Sequence, residues 1–158
     1  FTGEMVSTAQ DEEYLMTFFY SFCPTECIWI ISAVTHAEER VIELDGEPPR
    51  ILAATFDPAR DTEEQLLDYA DRMGIDRDAG NWSILRPEDE ERAREVVDER
   101  FGVSFEKRST GGVYDFIHTT LILLVNKDGY VERTYLNDDP DPDLIASDLV
   151  DLREAQKG

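Results

Sequence analysis

Apolar and polar residues alternate along the chain in blocks whose lengths predict strands and helices in turn. Short apolar runs rich in β-branched and aromatic residues predict strands. These predicted strands cover residues 14–20, 50–56, 82–85, 119–125 and 130–136. Longer segments with apolar residues every three or four positions predict helices over 24–44, 62–73, 87–101 and 142–154. This order predicts an α/β fold, with a central mixed sheet flanked by helices on both faces.

Turn and cap residues support these boundaries. Gly46 and the two prolines that follow it end the first helix. Thr62, with Gln65 three residues later, predicts a capping box, and residues 126–129 predict a hairpin turn between the last two strands. The helical periodicity also predicts which residues face the core. They are Val41, Leu44, Leu66, Leu67, Tyr69, Ala70, Val96, Val97, Phe101, Leu144, Ile145, Leu149 and Leu152.

Two segments lack a clear pattern. Residues 1–13 are mostly polar and are interpreted as an edge hairpin or an arm. Residues 102–116 contain the pair Gly111-Gly112 and no apolar periodicity, so we expect an irregular segment that is mobile until a metal orders it. A chain of 158 residues with 41% hydrophobic content can form a core of its own, so residues 1–158 are predicted to be a single domain.

The only two cysteines of the sequence lie at the junction of the first strand and the first helix. Pro24 fits the first turn of a helix, which places Cys23 at the cap and Cys27 one turn further along. Residues four apart share a helix face, and the N-terminus of a helix favours the thiolate form of cysteine. The two sulfurs can therefore hold one metal ion, or form a disulfide after local unwinding. A structural staple is disfavoured because such a disulfide would close almost no loop.

A cysteine pair after the first core strand is the arrangement of thioredoxin-like proteins, and we predict that fold. In open α/β sheets the ligand site lies beyond the carboxyl ends of the parallel strands, where Cys23 and Cys27 fall. The same layout brings the loop before strand 119–125 beside the cysteines. His118, in that loop, is therefore the third candidate residue of the site. His36 lies nine residues after Cys27 on the same helix and is expected to be an ordinary surface or half-buried side chain.

Charge sets this sequence apart from most globular domains. It has 36 acidic and 15 basic residues and a formal net charge of −21. Mutual repulsion at this charge opposes the compact state, so we expect salt to screen it in the native environment. Acidic, lysine-poor surfaces are similar to those of halophile proteins; the alternative is an acidic domain with no such adaptation. The charge argues against nucleic acid as a partner and against direct electrostatic binding to an anionic membrane.

Four segments carry a resemblance to a known family. They are FFYSFCPTEC at 18–27, TFDPARDTEEQLLDYADRMG at 55–74, NWSILRPEDEERAREVVDERFGV at 81–103 and HTTLILLVNKDGYV at 118–131. In this order they resemble the Sco/SenC family of copper-binding, thioredoxin-like proteins of cytochrome c oxidase assembly. The resemblance covers about residues 14–152. The CxxxC spacing, the DPxRDT turn and the His-Thr pair are its most specific parts.

The resemblance implies that Cys23, Cys27 and His118 are copper ligands. Two thiolates and one imidazole make a soft set that suits Cu(I), and that can hold Cu(II) when another ligand or water joins. Zinc would accept the same three ligands with water as a fourth. The absence of a nearby Glu/His general-base pattern argues against a zinc hydrolase.

The chain departs from the family pattern beside the ligands. Ile28 stands where the family usually has a proline after the second cysteine. Ile117 stands where the family often has an aspartate before the histidine, and Asp115 lies further back. Both departures leave the three ligands in place and change the residues that surround them.

The resemblance also implies a function. It is that of a copper-binding assembly factor that delivers copper to, or reduces the thiols of, the dinuclear copper site of a respiratory haem-copper oxidase. The oxidase subunit with that site is the expected partner, and a thioredoxin-like reductant is a second candidate. The alternative is a thiol-disulfide oxidoreductase or redox sensor that uses Cys23 and Cys27 as its catalytic pair. A peroxidase-like relative is disfavoured because the usual peroxidatic motif is absent.

The expected location is the extracytoplasmic face of the cell membrane. No stretch of the sequence reaches the length of apolar residues needed to span a bilayer, and no signal peptide is present. The sequence begins at Phe1 without an initiator methionine. We therefore expect that an anchoring segment preceded it and is missing here.

Overall fold

The computed structural model describes residues 11–136 and 140–158. The predicted edge hairpin or arm lies almost wholly in residues 1–10, outside the described residues. The strands are β1 (Tyr14–Phe19), β2 (Arg50–Thr55), β3 (Trp82–Leu85), β4 (Phe105–Thr110), β5 (Val113–His118), β6 (Ile122–Val125) and β7 (Val131–Tyr135). The helices are α1 (Glu26–Asp45), α2 (Glu63–Arg72), α3 (Glu90–Ala93), which continues as the π-helical segment Arg94–Arg100, and α4 (Pro142–Gln156).

The central sheet has the strand order β3-β2-β1-β6-β7. Strands β1, β2 and β3 run parallel, whereas β6 is antiparallel to β1 and β7 is antiparallel to β6. All six residues of β1 are buried, as expected for a strand covered on both faces. The predicted mixed sheet is therefore confirmed, and its centre is the strand that leads to the cysteines.

Alternate residues of β1 face two apolar layers, because successive side chains of a strand point to opposite faces. Leu15 lies in one layer, with residues of α1 and α4. Met16 and Phe18 lie in the other, with residues of α2 and of the segment after α3. Helices thus cover both faces of the sheet, as predicted. Within the described part of the chain, no helix is long and apolar enough to cross a membrane.

Two helices begin later than predicted. Helix α1 starts at Glu26 with Thr25 at its N-cap position, so the placement of Cys23 at the cap is wrong. The Thr25 side chain makes no capping hydrogen bond, and Cys23 Sγ instead accepts the Cys27 N–H at 3.4 Å. Helix α3 starts at Glu90, because the Asp89 side chain accepts the N–H of Arg92.

Three finer predictions also need correction. Leu44 and Leu144 are 54% and 51% exposed instead of facing the core; helix α4 buries Ile145 against the sheet. The other predicted core residues are buried or half-buried. The capping box of α2 is only half formed. Thr62 Oγ1 accepts the backbone N–H of Gln65, but the Gln65 amide donates to Ser21 Oγ at 3.0 Å.

The segment predicted to be irregular is a regular hairpin. Strands β4 and β5 pair antiparallel in a two-stranded sheet separate from the central one. Gly111 and Gly112 form its turn with φ of 60° and 83°, a backbone conformation that favours glycine. His118 is the last residue of β5 instead of a loop residue, and β6 begins only at Ile122. The mobility of this segment without metal stays a prediction.

Candidate metal centre

Three segments of the fold bring the predicted site residues together. Cys23 lies in the turn after β1, Cys27 in the first turn of α1, and His118 at the end of β5. Their ligand atoms all lie within 4.8 Å of one another, and Cys27 Sγ is 3.7 Å from His118 Nε2. Both cysteines are buried, and neither forms a disulfide. His36 is exposed on α1 and is not a member of this group.

The first cysteine is poised as a thiolate. The hydrogen bond from the Cys27 thiol lowers the pKa of Cys23 to about 4; burial opposes this shift, while His118 and the Cys27 backbone N–H add to it. The same hydrogen bond, together with burial, raises the pKa of Cys27. The pair therefore holds one proton between two sulfurs. A metal ion can replace that proton, because ligating thiols must be deprotonated.

His118 presents one ring nitrogen to the sulfurs. Its Nδ1 lies 3.4 Å from the carbonyl oxygen of Thr119, to which it donates, so Nε2 is the nitrogen that faces Cys27. Burial alone would lower the pKa of His118, but hydrogen bonds with Cys23 and Thr119 raise it above its ordinary value. A hydrogen bond of this kind fixes the orientation of a metal-binding imidazole.

Aromatic rings enclose the imidazole. The ring centroid of Tyr20 is 5.7 Å from that of His118 in an edge-to-face arrangement, and Phe56 is 5.1 Å away. The Tyr20 hydroxyl donates to the carboxylate of Asp115. Our sequence analysis did not identify Tyr20 or Phe56 as site residues. Each directly follows a parallel strand, and this position is the signal that could have identified them.

Residues in the turn after β2 hydrogen-bond to residues 20–25, the loop between β1 and α1 that carries Cys23 and is called the cysteine loop below. Asp61 is fully buried and accepts the Ser21 N–H at 3.2 Å, together with the hydroxyls of Ser21 and Thr55. Asp57, also buried, pairs with Arg60 at 2.6 Å. The Asp57–Thr62 segment, which carries the DPxRDT pattern, therefore fixes the backbone two residues before Cys23.

The donor set fits copper. Two sulfurs and one imidazole nitrogen are the soft ligands that Cu(I) prefers. Among the described residues, no fourth His, Cys, Asp or Glu joins the group, whereas structural zinc sites are closed by four ligands. The aromatic rings around His118 limit the access of solvent to that side of the site. These features agree with the predicted cofactor.

The sequence model of the SCO1/SenC family matches residues 2–154. No curated protein sequence matches the chain. Among solved structures, the copper-bound ScoI of Bradyrhizobium japonicum is 25% identical, with a TM-score of 0.71 over 92% of this chain and 87% of that chain.

Two further solved structures share the fold. One is a SCO1/SenC family lipoprotein from Bacillus anthracis str. Ames, which is 19% identical with a TM-score of 0.76 over 92% of this chain and 83% of that chain. The other is BsSco, described as a Sco-family cytochrome c oxidase assembly protein with a disulfide switch. It is 24% identical, with a TM-score of 0.72 over 90% of this chain and 81% of that chain. These likenesses confirm the predicted thioredoxin-like α/β fold. Because the family match spans nearly the whole sequence, the chain belongs to the SCO1/SenC family.

Proposed function

We propose that this protein binds one copper ion through Cys23, Cys27 and His118, and serves the assembly of the dinuclear copper site of a respiratory haem-copper oxidase. The observation that carries the proposal is the convergence of the three donor atoms within 4.8 Å. Membership of the SCO1/SenC family and the copper-bound relative from Bradyrhizobium japonicum support it.

The assembly role can take two forms at the same site. In copper delivery, Cu(I) passes from the three ligands to thiolates of the oxidase subunit with no net oxidation. In thiol reduction, Cys23 and Cys27 form a disulfide and give up two electrons and two protons, which convert a disulfide of the oxidase subunit into two thiols. The short distance between the two sulfurs supports both forms. A thioredoxin-like reductant would restore the thiols after the second form.

The proposed location is the outer face of the cell membrane. The Bacillus anthracis relative is described as a lipoprotein, which supports a tether for this chain as well. The copper-site subunit of the oxidase is the proposed partner, and it would meet the protein on the face that carries Cys23 and His118.

Copper titration of the reduced protein tests the proposal. Wild type is expected to bind one copper per chain. The double variant Cys23→Ser/Cys27→Ser is expected to lose tight binding, and His118→Ala to bind more weakly. His36→Ala is the matched control, because His36 is exposed and lies outside the cluster. Stoichiometric copper in the double variant would place the site elsewhere.

A second candidate function is a thiol-disulfide oxidoreductase or redox sensor. It is favoured by the low pKa of Cys23, about 4, because the thiolate is the form that attacks disulfides. His118→Ala separates the two functions. An oxidoreductase that uses only Cys23 and Cys27 would still reduce a model disulfide substrate without His118, because the largest cause of the low pKa of Cys23 is its hydrogen bond with Cys27. A copper protein would instead lose most of its affinity for copper.

A further inference from the structure

The position of His118 depends on how a separate hairpin docks onto the fold. Cys23 and Cys27 lie after the central strand β1 and in the helix that follows it. His118 belongs to β5, whose only partner among the described strands is β4. No ladder of backbone hydrogen bonds joins this hairpin to the central sheet in the described part of the chain. Besides the three-residue link from His118 to β6, side-chain contacts therefore set the distance between the imidazole and the two sulfurs.

One arginine makes a closed set of such contacts. Arg60 Nε donates to Asp57 Oδ2 at 2.6 Å, and Arg60 Nη1 donates to the backbone carbonyl of Tyr114 at 2.9 Å. The guanidinium also lies over the Tyr114 ring, 3.7 Å from its centroid. The Tyr114 hydroxyl completes the set by donating to Asp57 Oδ1 at 2.9 Å. Asp57 is fully buried, so this cluster is shielded from solvent on that side.

Tyr114 lies on the same face of β5 as His118. Side chains at i, i+2 and i+4 of a strand point to one face, so Tyr114, Phe116 and His118 form one row. Phe116 packs edge-on against Tyr20 and Phe56, the rings that enclose the imidazole. Arg60 contacts Tyr114 at one end of this row, and the proposed ligand His118 lies at the other end. The contact therefore helps to fix the position of the whole row.

The same guanidinium contacts the cysteine loop. It lies 4.9 Å from the ring centroid of Phe22, the residue immediately before Cys23. Arg60 thus touches both segments that carry the proposed ligands, with the hairpin on one side and the loop on the other. We propose that Arg60 is a positioning residue that holds His118 in register with Cys23 and Cys27. This inference rests on the proposed copper site.

The test compares Arg60→Lys with Arg77→Lys, a matched change at an arginine whose pair with Asp71 is exposed. Lysine keeps the charge beside Asp57, but it cannot donate to Asp57 and Tyr114 in the planar fork geometry of arginine. The first readout is hydrogen exchange of the β4–β5 amides in the reduced, copper-free protein. Exchange is expected to be about tenfold faster in Arg60→Lys and unchanged in Arg77→Lys.

The second readout is the copper-loaded protein. Residues that orient metal ligands typically change metal affinity by about 10–100-fold when they are replaced. Arg60→Lys is therefore expected to lower copper affinity in this range and to weaken the imidazole nitrogen coupling in pulsed EPR of the Cu(II) form. If Arg60→Lys does not fold, Tyr114→Leu is used instead, because it leaves the Asp57–Arg60 pair intact; it is expected to change both readouts in the same direction.

The variant His118→Ala distinguishes a failure of the positioning role of Arg60 from a failure of the proposed copper ligand set. If His118→Ala loses the nitrogen coupling while Arg60→Lys matches wild type in exchange and in coupling, the ligand set stands and the positioning role of Arg60 is overturned. If wild type and His118→Ala show the same coupling, the proposed ligand set is wrong. The exchange measurement, which needs no copper, then still decides whether Arg60 holds the hairpin: unchanged exchange refutes that hold, and faster exchange supports it.

Discussion

Asp61 links the loop before Cys23 to the end of β2, and its removal should destabilise the whole protein. Its carboxylate is fully buried and accepts three hydrogen bonds, from the Ser21 N–H, the Ser21 hydroxyl and the Thr55 hydroxyl. Burial raises the pKa of Asp61, and the hydrogen bonds from Ser21 and Thr55 partly oppose the shift. The carboxylate is therefore costly to bury but necessary to the groups around it.

The magnitude follows from these contacts. Asp61→Ala leaves three buried donors without their acceptor, at a cost of about 1–3 kcal/mol each. The two hydroxyls can rotate towards other acceptors, and the cost of burying a charge, several kcal/mol, is relieved. The net loss of stability is expected to be about 2–4 kcal/mol. For a chain of this size, that loss corresponds to a fall in Tm of about 4–16 °C.

Urea denaturation of the reduced, copper-free protein measures this loss. Asp68→Ala is the matched control, because Asp68 is exposed on α2 and pairs with Arg72 at the surface. The control is expected to change the free energy of unfolding by about 0.5 kcal/mol or less. Asp61→Asn, which keeps one acceptor oxygen, is expected to fall between the two. If Asp61→Ala were as stable as Asp68→Ala, the account of the cysteine loop would be wrong.

Three further predictions concern redox state, protonation and salt. Oxidation to a Cys23–Cys27 disulfide should eject copper, and bound copper should protect both thiols from alkylation; equal alkylation rates with and without copper would contradict this. The ultraviolet absorbance of the thiolate in the reduced, copper-free protein should appear as the pH rises through about 4, and Cys23→Ser should abolish it near neutral pH. A transition only near the ordinary thiol pKa, about 8.5, would contradict the proton shared between the sulfurs. Finally, 36 acidic residues against 15 basic ones should make the Tm rise between low and molar KCl, since the Debye length falls from about 10 Å at 0.1 M to about 3 Å at 1 M. A flat or falling Tm would remove the salt-adaptation hypothesis.

The parts of the fold that depend on local patterns were predictable from the sequence. The apolar run of β1 and the helical periodicity of α2 are strong signals within single segments. The place of Cys23 and Cys27 beyond the parallel strands follows from the order of the elements, and the same order brought His118 to them. The register between strands, in contrast, is set by contacts between distant segments. The predicted start of α1 was wrong because the sulfur of Cys23 accepts the Cys27 N–H, which a capping side chain would otherwise accept.

The β4–β5 hairpin and the contact of Arg60 with it could not be predicted from local patterns. Strand β4 is exposed except at Phe105, and β5 alternates between exposed and half-buried residues, so no continuous apolar run marks either strand. The contact of Arg60 with Tyr114 joins residues 54 positions apart. In the sequence, Arg60 was only part of a turn motif; the fold gives that motif a contact with the strand of His118.

X-ray absorption spectroscopy of the Cu(I)-loaded, reduced protein tests the central claim most directly. The account predicts a first shell of two sulfurs and one imidazole nitrogen, because Cys23, Cys27 and His118 are the three donors brought within 4.8 Å of one another. His118→Ala should lose the nitrogen and keep both sulfurs, while His36→Ala should give the wild-type spectrum. A wild-type shell with fewer than two sulfurs, or an imidazole nitrogen that persists in His118→Ala, would contradict it.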